Sequence, residues 1–600
     1  MIRRGWLLGL ALAACSSGGS DASQSQPPPT APAVTARVAA PPAVPPGAPP
    51  AVPPDRDDPY DPGSLGALNF ALSEGTPAAR SHFTRGLLAL HSFWYDKASR
   101  EFQAAIDADP TMNMAYWGAA MSRCKLLWGD DDLAGARDLL SRMPDPGRLT
   151  PREQAWVSAA VELVRAGDVR TSRQRFAAAM TAIHDQFPDD ESTTFLAIAL
   201  LAAMRPGDPD AEAVRKRAGA LAASVFAHAP KHPGAAHYVI HAYDTPELAA
   251  QALPFARAYA AIAPAAFHAR HMPAHIFSRL GMWKDAIASC QSAWDASVAS
   301  ARADQLSANH HDFHSLSWLV EMSFELGQRQ AADRALQVFA DEVRAGLGHQ
   351  YRAQYASEVA SYLMRTGEWG RLDELLQPLA APVAEDGGAP PLPPPDAKPG
   401  VAPSHCAPAP AAGPIALLEQ LTVSATRARA AAMQHDLAKT QRYLGELDAV
   451  RAQLRPFMEA TQPPAALARI AATDARRRQA LLARAAGNDR ALVEVLRQSV
   501  VEDQESGGES NPSGFVVHED LADTLLRLGQ PAAAAAEYAL VLQAHPGRAH
   551  ALLGAARTAA RVGDRKAARR WYEQLVAQWS AADDQTPGLA EARKAVAAPP

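Results

Sequence analysis

Cysteines, aromatic residues and charge of one dominant sign are all scarce in this sequence, and each shortage excludes a class of protein. Four cysteines among 600 residues, with no CxxC pair and no Cys/His finger spacing, exclude a disulfide framework and a zinc finger. Aromatic residues make up 6%, and Ala supplies much of the 48% hydrophobic content, which favours close-packed helices over a sheet core. The net charge of −6, with both signs interleaved, leaves no electrostatic footprint for nucleic acid. We therefore expect an all-α protein that does not bind nucleic acid.

Signatures of catalysis are also missing. The chain has no P-loop, no GxGxxG after a strand and no GxSxG elbow. Cys124 and Cys290 are isolated and are expected to be small core hydrophobes. The sequence names no catalytic residue, so a binding protein is a more direct interpretation than an enzyme.

The N-terminus carries an apolar run with the shape of a signal peptide. Arg3 and Arg4 precede the run Trp6–Ala14, which is too short to span a bilayer, and the run ends LAAC at Cys15. This ending resembles the lipobox of bacterial lipoproteins. The resemblance implies that residues 1–14 are removed and that Cys15 is lipidated, which anchors the protein stably in a membrane of the cell envelope. Ser16 resembles the outer-membrane sorting signal of organisms with two membranes.

Two Pro-rich stretches divide the rest of the chain. Residues 15–63 combine the lipidated cysteine with a disordered Pro/Ala-rich linker, which at about 3.1 Å per residue reaches on the order of 100 Å. Residues 384–414 form a second Pro-rich linker. The linkers leave an N-terminal helical array with a histidine-rich centre at 64–383, a helical segment at 415–514 and C-terminal repeats at 515–600.

A period of 34 residues decides the fold. Gly529 and Gly563 are 34 apart, and so are Ala534 and Ala568, which is the repeat length of tetratricopeptide hairpins. We expect each small residue to lie where two helices cross closely, and each Pro to end a second helix. The repeat-packing positions are Gly86, Ala98, Phe102, Ala105, Pro110, Gly281, Ala286, Gly327, Gly529, Ala534, Tyr538, Pro546, Gly563, Ala568 and Tyr572.

Longer stretches resemble a bacterial family of tetratricopeptide-repeat (TPR) lipoproteins whose activity is uncharacterised. The similarity lies in HFTRGLLALHSFWYDKASREFQAAIDADP and in HARHMPAHIFSRLGMWKDAIAS, within residues 79–335, and again in residues 515–576. The resemblance implies an α-solenoid of TPR helical hairpins in two blocks, and it leaves the function open.

A ladder of histidines crosses the centre of the first block. Pairs of histidines four residues apart recur after 34 and 39 residues, and such pairs share one helix face: His237 with His241, His271 with His275, and His310 with His314. In TPR proteins the first helix of each hairpin lines the concave surface. The ladder is therefore expected to stack imidazoles on that surface, flanked by His232, His268 and His311.

Two interpretations of the ladder remain open. The first is a site for a divalent metal such as Zn, with neutral imidazole ligands from His237, His241, His271, His275 and His314 and with the Asp244 carboxylate either completing the coordination or orienting a ligand. No HExxH motif supports a metalloprotease, and Pro273 is expected to kink its helix and turn His271 off the face of His275. The second is a set of buried histidines that hydrogen-bond to each other and to backbone carbonyls, with no certain cofactor.

The sequence thus favours a membrane-anchored TPR scaffold that binds a protein or peptide partner in the cell envelope. The alternative is a metal-binding protein, or a metal-dependent enzyme, that uses the histidine cluster on the concave face.

Overall fold

The structure is a computed structural model, and it describes residues 62–129, 131–165, 167–205, 207–383, 413–462, 464–505 and 516–598. Within these ranges every regular element is an α-helix or a short 3₁₀-helix, and none is a strand. The predicted signal peptide, Cys15, Cys406, residues 15–61 of the first linker and residues 384–412 of the second lie outside the described residues. No helix in the described part is both long and apolar enough to cross a membrane.

The first block is a succession of antiparallel helical hairpins in which each first helix also packs on a helix of the preceding hairpin. The hairpins pair α1 (Pro77–His91) with α2 (Tyr95–Ala108), α3 (Asn113–Met121) with α4 (Leu133–Ser141), α5 (Pro151–Val164) with α6 (Val169–Gln186), α7 (Asp190–Ala203) with α8 (Ala211–His228), α9 (Pro233–Tyr243) with α10 (Ala249–Ile262), α11 (Phe267–His271) and α12 (Pro273–Arg279) with α13 (Trp283–Ala303), α14 (Phe313–Glu325) with α15 (Arg329–Gly346), and α16 (His349–Thr366) with α17 (Leu372–Leu376).

The second block continues the same architecture. Its hairpins pair α18 (Pro414–Met433) with α19 (Leu437–Thr461), α20 (Pro464–Ala485) with α21 (Asp489–Glu505), α22 (Val516–Arg527) with α23 (Pro531–Ala544), and α24 (Ala549–Arg561) with α25 (Arg565–Gln578), before the single helix α26 (Leu589–Ala597). Helix α18 packs directly on α16, where the Arg352 guanidinium donates to the Glu419 carboxylate at 3.0 Å and both residues are buried. The chain is an α-solenoid of TPR-type hairpins, as the sequence predicts.

Local signals at the helix starts explain why the hairpins form where they do. At the start of α5 the Thr150 hydroxyl accepts from the backbone N–H of Glu153, and the Glu153 carboxylate accepts from the backbone N–H of Thr150. Pro151 occupies the first turn. Thr76 caps α1 in the same way, ahead of a Pro in the first turn. These caps fix the helix ends, and the buried apolar face of each helix then selects its neighbour.

Close helix crossings occur around the aromatic residues Phe102 and Tyr538 of two second helices. A Cβ placed at Gly86 would lie 2.9 Å from the Phe102 ring, and one at Gly118 would lie 2.2 Å from it. In the last repeats Tyr538 faces Gly554 in the same manner, at 2.2 Å. The large rings therefore occupy space that is available because the glycines on the adjoining first helices have no side chain.

Four of the predicted packing glycines have a different role. Gly281, Gly327, Gly529 and Gly563 lie in turns between helices with φ between 66° and 83°, the left-handed region that favours glycine. At Gly529 and Gly563 no atom would lie within 4 Å of an added Cβ, so the close-crossing explanation is wrong there. The backbone conformation of the turn accounts for these glycines.

The C-terminal hairpins return to the first block. The Trp283 indole donates to the carbonyl of Gly547 at 3.0 Å, and a Cβ at Gly281 would lie 2.2 Å from the carbonyl oxygen of Pro546. Glu325 accepts from the backbone N–H of Ala549 at 2.6 Å. The turn between α23 and α24 is thus packed against the hairpins that carry the histidines.

Candidate metal centre

Six histidine side chains meet where α9, α11, α12 and α14 lie side by side. They form two groups, and within each group one ring nitrogen from every member lies within 4.8 Å of the others. Group A consists of His237, His241 and His268, and group B consists of His271, His275 and His314. Together they are the six-histidine cluster. It contains all five predicted histidine ligands and adds His268.

The helix break before Pro273 does not separate His271 from His275. The chain leaves α11 at His271, passes through Met272 and enters α12 at Pro273. Nevertheless Nε2 of His271 lies 3.1 Å from Nε2 of His275. The helix is interrupted before Pro273 as predicted, but the expectation that this would turn His271 off the face of His275 is wrong, because Met272 keeps helical dihedral angles (φ −52°, ψ −34°) and the two rings face each other.

The outer nitrogens of group B fix which ring nitrogens carry protons. His275 donates from Nδ1 to the Asp244 carboxylate at 3.0 Å. Nδ1 of His271 lies 2.9 Å from the hydroxyl oxygen of Ser315, which itself donates to the Asp312 carboxylate, so His271 is the donor in its contact. In their neutral forms both rings therefore present an Nε2 lone pair to each other.

Asp244 holds the ring of His275 and is held in turn by Arg279. One carboxylate oxygen of Asp244 accepts from His275 and the other accepts from Nε of Arg279 at 3.0 Å. Both carboxylate oxygens of Asp244 are therefore engaged in hydrogen bonds to protein side chains. Of the two roles predicted for Asp244, metal ligand or orienting group, these hydrogen bonds fit the second, in which Asp244 orients the ring of His275.

Group A is anchored in the same way by a backbone carbonyl. Nδ1 of His237 donates to the carbonyl oxygen of His91 at 2.6 Å, which leaves its Nε2 facing Nε2 of His241 at 3.0 Å. Nε2 of His268 is buried without a hydrogen-bond partner among the described residues. His268 itself is nine-tenths buried.

Burial favours the neutral form of four imidazoles of the cluster, those of His237, His241, His268 and His271. Desolvation lowers the pKa of His237, His268 and His271 well below the usual 6.5, and the neighbouring histidines lower it further. For His241 burial, together with the charge of His275, lowers the pKa to about 3. Neutral rings are the form in which histidine donates a lone pair to a metal.

Aromatic side chains wall the cluster. The Phe93 ring lies 4.4 Å from the ring of His237 and stacks on His268 at 5.5 Å, and Phe93 has φ of 53° in the turn after α1. Trp318 lies 4.7 Å from the ring of His275. Trp128 contacts His268 at 5.5 Å and is 45% exposed, so the wall reaches the surface.

A third group, consisting of His91, Glu191 and His232, is complete without an ion. Glu191 accepts from Nε2 of His91 at 2.9 Å and from Nε2 of His232 at 3.2 Å. The other nitrogen of His91 bonds the Tyr238 hydroxyl, and that of His232 accepts from the backbone N–H of Ala235. Every ring nitrogen has a partner, so this buried group is a hydrogen-bond network that fixes the His91 backbone.

The sequence placed His268 only at the flank of the ladder, and it wrongly placed one member of the last pair, His310, inside the ladder. His268 lies one turn before His271 on the short helix α11, and no histidine lies four residues before or after it. His310 lies in a 3₁₀ turn before α14 and is outside the cluster. Cys290 is buried as predicted, and its Sγ lies 3.6 Å from Nδ1 of His271.

Comparison with known proteins gives similarity to solved TPR structures alone. No protein-family model matches the chain, and no curated protein matches it. A monomeric mutant of IFIT1 with Gppp-AAAA shares 13% identity over 87% of this chain and 94% of that chain, with a TM-score of 0.29. Yeast Tom70 shares 10% identity over 86% and 94% of the two chains, with a TM-score of 0.29. At these scores the likeness carries no argument about function, and the fold rests on the helices described above.

Proposed function

We propose that the protein binds a transition-metal ion through His271, His275 and His314. The observation that supports the proposal is the approach of Nε2 of His271 to Nε2 of His275 at 3.1 Å, while Nδ1 of each ring is hydrogen-bonded outside the pair. Two lone pairs at this distance repel unless a metal ion or an extra proton lies between them. A shared proton would join only two nitrogens. The ring of His314 lies beside the pair as well, with its centroid 4.6 Å from that of His271, and three converging rings favour a metal ion.

The spacing of the nitrogens suits a metal. Zinc–imidazole bonds are about 2.0–2.1 Å long, so two nitrogens 3.1 Å apart subtend about 100° at the ion, near the tetrahedral angle. Three neutral imidazoles suit zinc, copper, iron or nickel better than calcium or magnesium. Because His314 is exposed, the fourth coordination position would face solvent and could take an external ligand.

The test is metal content together with thermal stability of the full chain. We expect near-stoichiometric metal in the wild type and a lower Tm after EDTA, because a ligand that binds the folded state stabilises it by about 2.7 kcal/mol at one hundred times its Kd. His275→Ala should lose the metal and respond to EDTA little or not at all.

His310→Ala is the matched control, since it removes a histidine from the same region but outside the cluster. It should keep both the metal and the EDTA response. Metal-free wild-type protein whose melting is indifferent to EDTA and to added zinc or copper would exclude the proposal.

Binding of a protein or peptide partner is the second candidate. A solenoid offers an extended surface, and Trp128 exposes an aromatic side chain beside the cluster, the residue type that often anchors protein interfaces. Photo-crosslinking in cells from position 128 should capture a partner more often than from position 562, where an exposed Val lies in the C-terminal block. Equal capture at both positions would count against a partner at this surface.

We also propose that Cys15 is lipidated and holds the protein in the cell envelope, at the outer membrane where two membranes exist. The support is the LAAC run and the Pro-rich linker behind it. Cys15→Ser should leave the membrane fraction, and unchanged membrane association would contradict the anchor.

A further inference from the structure

We infer that the cluster is a dinuclear centre, in which group A holds a second metal ion beside the ion of group B and the pair takes a small anionic oxygen ligand such as hydroxide. The inference rests on the proposed function, because it presumes that group B binds metal.

Group A has the features of a ligand set in its own right. His237 and His241 face each other through Nε2 at 3.0 Å, and the Nδ1 proton of His237 is committed to the carbonyl of His91. Nε2 of His268 is buried without a hydrogen-bond partner in the described part of the chain. A buried polar nitrogen without a partner destabilises a fold, and a metal ion at this nitrogen would remove that penalty.

The protein holds the ligands of group A firmly before any ion arrives. The His91 carbonyl that orients His237 belongs to a residue whose own ring is fixed by Glu191 and Tyr238. The Phe93 ring packs against all three histidines of the group. Such support raises metal affinity, because little rotamer freedom is lost when the ion binds.

The two groups are close enough to form one centre. The ring of His268 lies between them, nearly parallel to His241 at 6.4 Å and to His271 at 6.2 Å between centroids. Asp244 links them as well, because it directly follows the helix of His241 and accepts from His275 of group B. Two ions held side by side can bind one ligand between them.

The charge of the cluster points to the class of ligand. Six imidazoles are neutral when they bind metal, and the Asp244 carboxylate beside them is offset by the Arg279 guanidinium. Two divalent ions would therefore carry uncompensated positive charge in a largely buried site. A small oxyanion that bridges the ions would reduce that charge, which neither a neutral nor a cationic ligand would do.

Copper titration of the full chain tests the inference, with metal analysis and electron paramagnetic resonance as readouts. The wild type should bind two Cu(II) ions, and the second should broaden or abolish the signal of the first through spin coupling. His314→Ala in group B and His268→Phe in group A should each bind one ion with an ordinary mononuclear signal. The Phe ring keeps the packing of His268 while it removes the nitrogens, and His310→Ala should still bind two.

Azide serves as the probe for an anionic ligand. It should bind the doubly loaded wild type at least tenfold more tightly than either singly loaded variant. Saturation at one ion would overturn the inference and leave the proposed function intact, whereas no binding would overturn both. Two ions with independent signals, or azide that binds all forms alike, would show separate sites and would also overturn the dinuclear centre.

Discussion

Glu519 and Arg548 form a buried ion pair between α22 and α24. The guanidinium donates to both carboxylate oxygens, at 2.7 and 2.9 Å. Burial alone would raise the pKa of Glu519, but the charge and hydrogen bonds of Arg548 outweigh it and lower the pKa to about 2. Because the carboxyl has a lower pKa in the folded state, its contribution is present above about pH 4.5 and is lost as the pH falls towards 2.

We therefore predict that Glu519→Gln destabilises the C-terminal hairpins by about 3 kcal/mol at neutral pH and weakens their acid sensitivity. Glu591→Gln is the matched control, because it breaks the exposed pair with Arg557, and such pairs contribute about 0–1 kcal/mol. Denaturant unfolding at pH 7 and pH 3 measures both. An equal loss for the two variants would contradict the role of burial.

The predictability of the histidine site also differs residue by residue. Five of its histidines could be predicted, because a spacing of four that recurs after 34 and 39 residues puts side chains on equivalent faces of neighbouring first helices. His268 was expected only at the flank of the ladder, since no histidine lies four residues before or after it. The orienting role of Asp244 depends on Arg279 of another helix, and sequence spacing does not reveal that contact.

Glycines show how helices in this protein fit together. Gly554 of α24 leaves room for the Tyr538 ring of α23, and an added Cβ would lie 2.2 Å from that ring. Gly554→Ala should therefore cost about 1–3 kcal/mol through overpacking. Gly445 lies exposed inside α19 with nothing within 4 Å, so Gly445→Ala should stabilise by about 0.5–1 kcal/mol. Thermal unfolding distinguishes these opposite signs, and a neutral Gly554→Ala would refute the tight crossing.

The whole molecule is linked by contacts between its two blocks. Gly281 and Gly529 have nearly the same backbone conformation, with φ of 69° and 72°. A Cβ at Gly281 would collide with the Pro546 carbonyl, while a Cβ at Gly529 would meet no atom within 4 Å. Both alanine variants carry the same backbone strain, but we predict that only Gly281→Ala loosens the docking of the C-terminal hairpins.

Hydrogen exchange provides the measurement. In Gly281→Ala, amides of α23 to α25 and of the histidine hairpins should exchange faster together, whereas Gly529→Ala should affect its own hairpin. Identical exchange maps would mean that the contact between the blocks adds no stability.

The repeats themselves were predictable because each hairpin packs on its sequence neighbour. The docking was not, because it depends on the pitch accumulated over many hairpins.

The docking also orders events in time. Trp579 and Thr586 bond to the carbonyls of Glu325 and Gly327 across 254 and 259 residues, while the hairpins of a solenoid otherwise form from local contacts. Local contacts form quickly, whereas closing a loop of this length costs more conformational entropy and takes longer. The hairpins that carry the histidines therefore form before the C-terminal hairpins dock on them. During that interval the face of these hairpins that later contacts the turn between α23 and α24 is exposed to solvent.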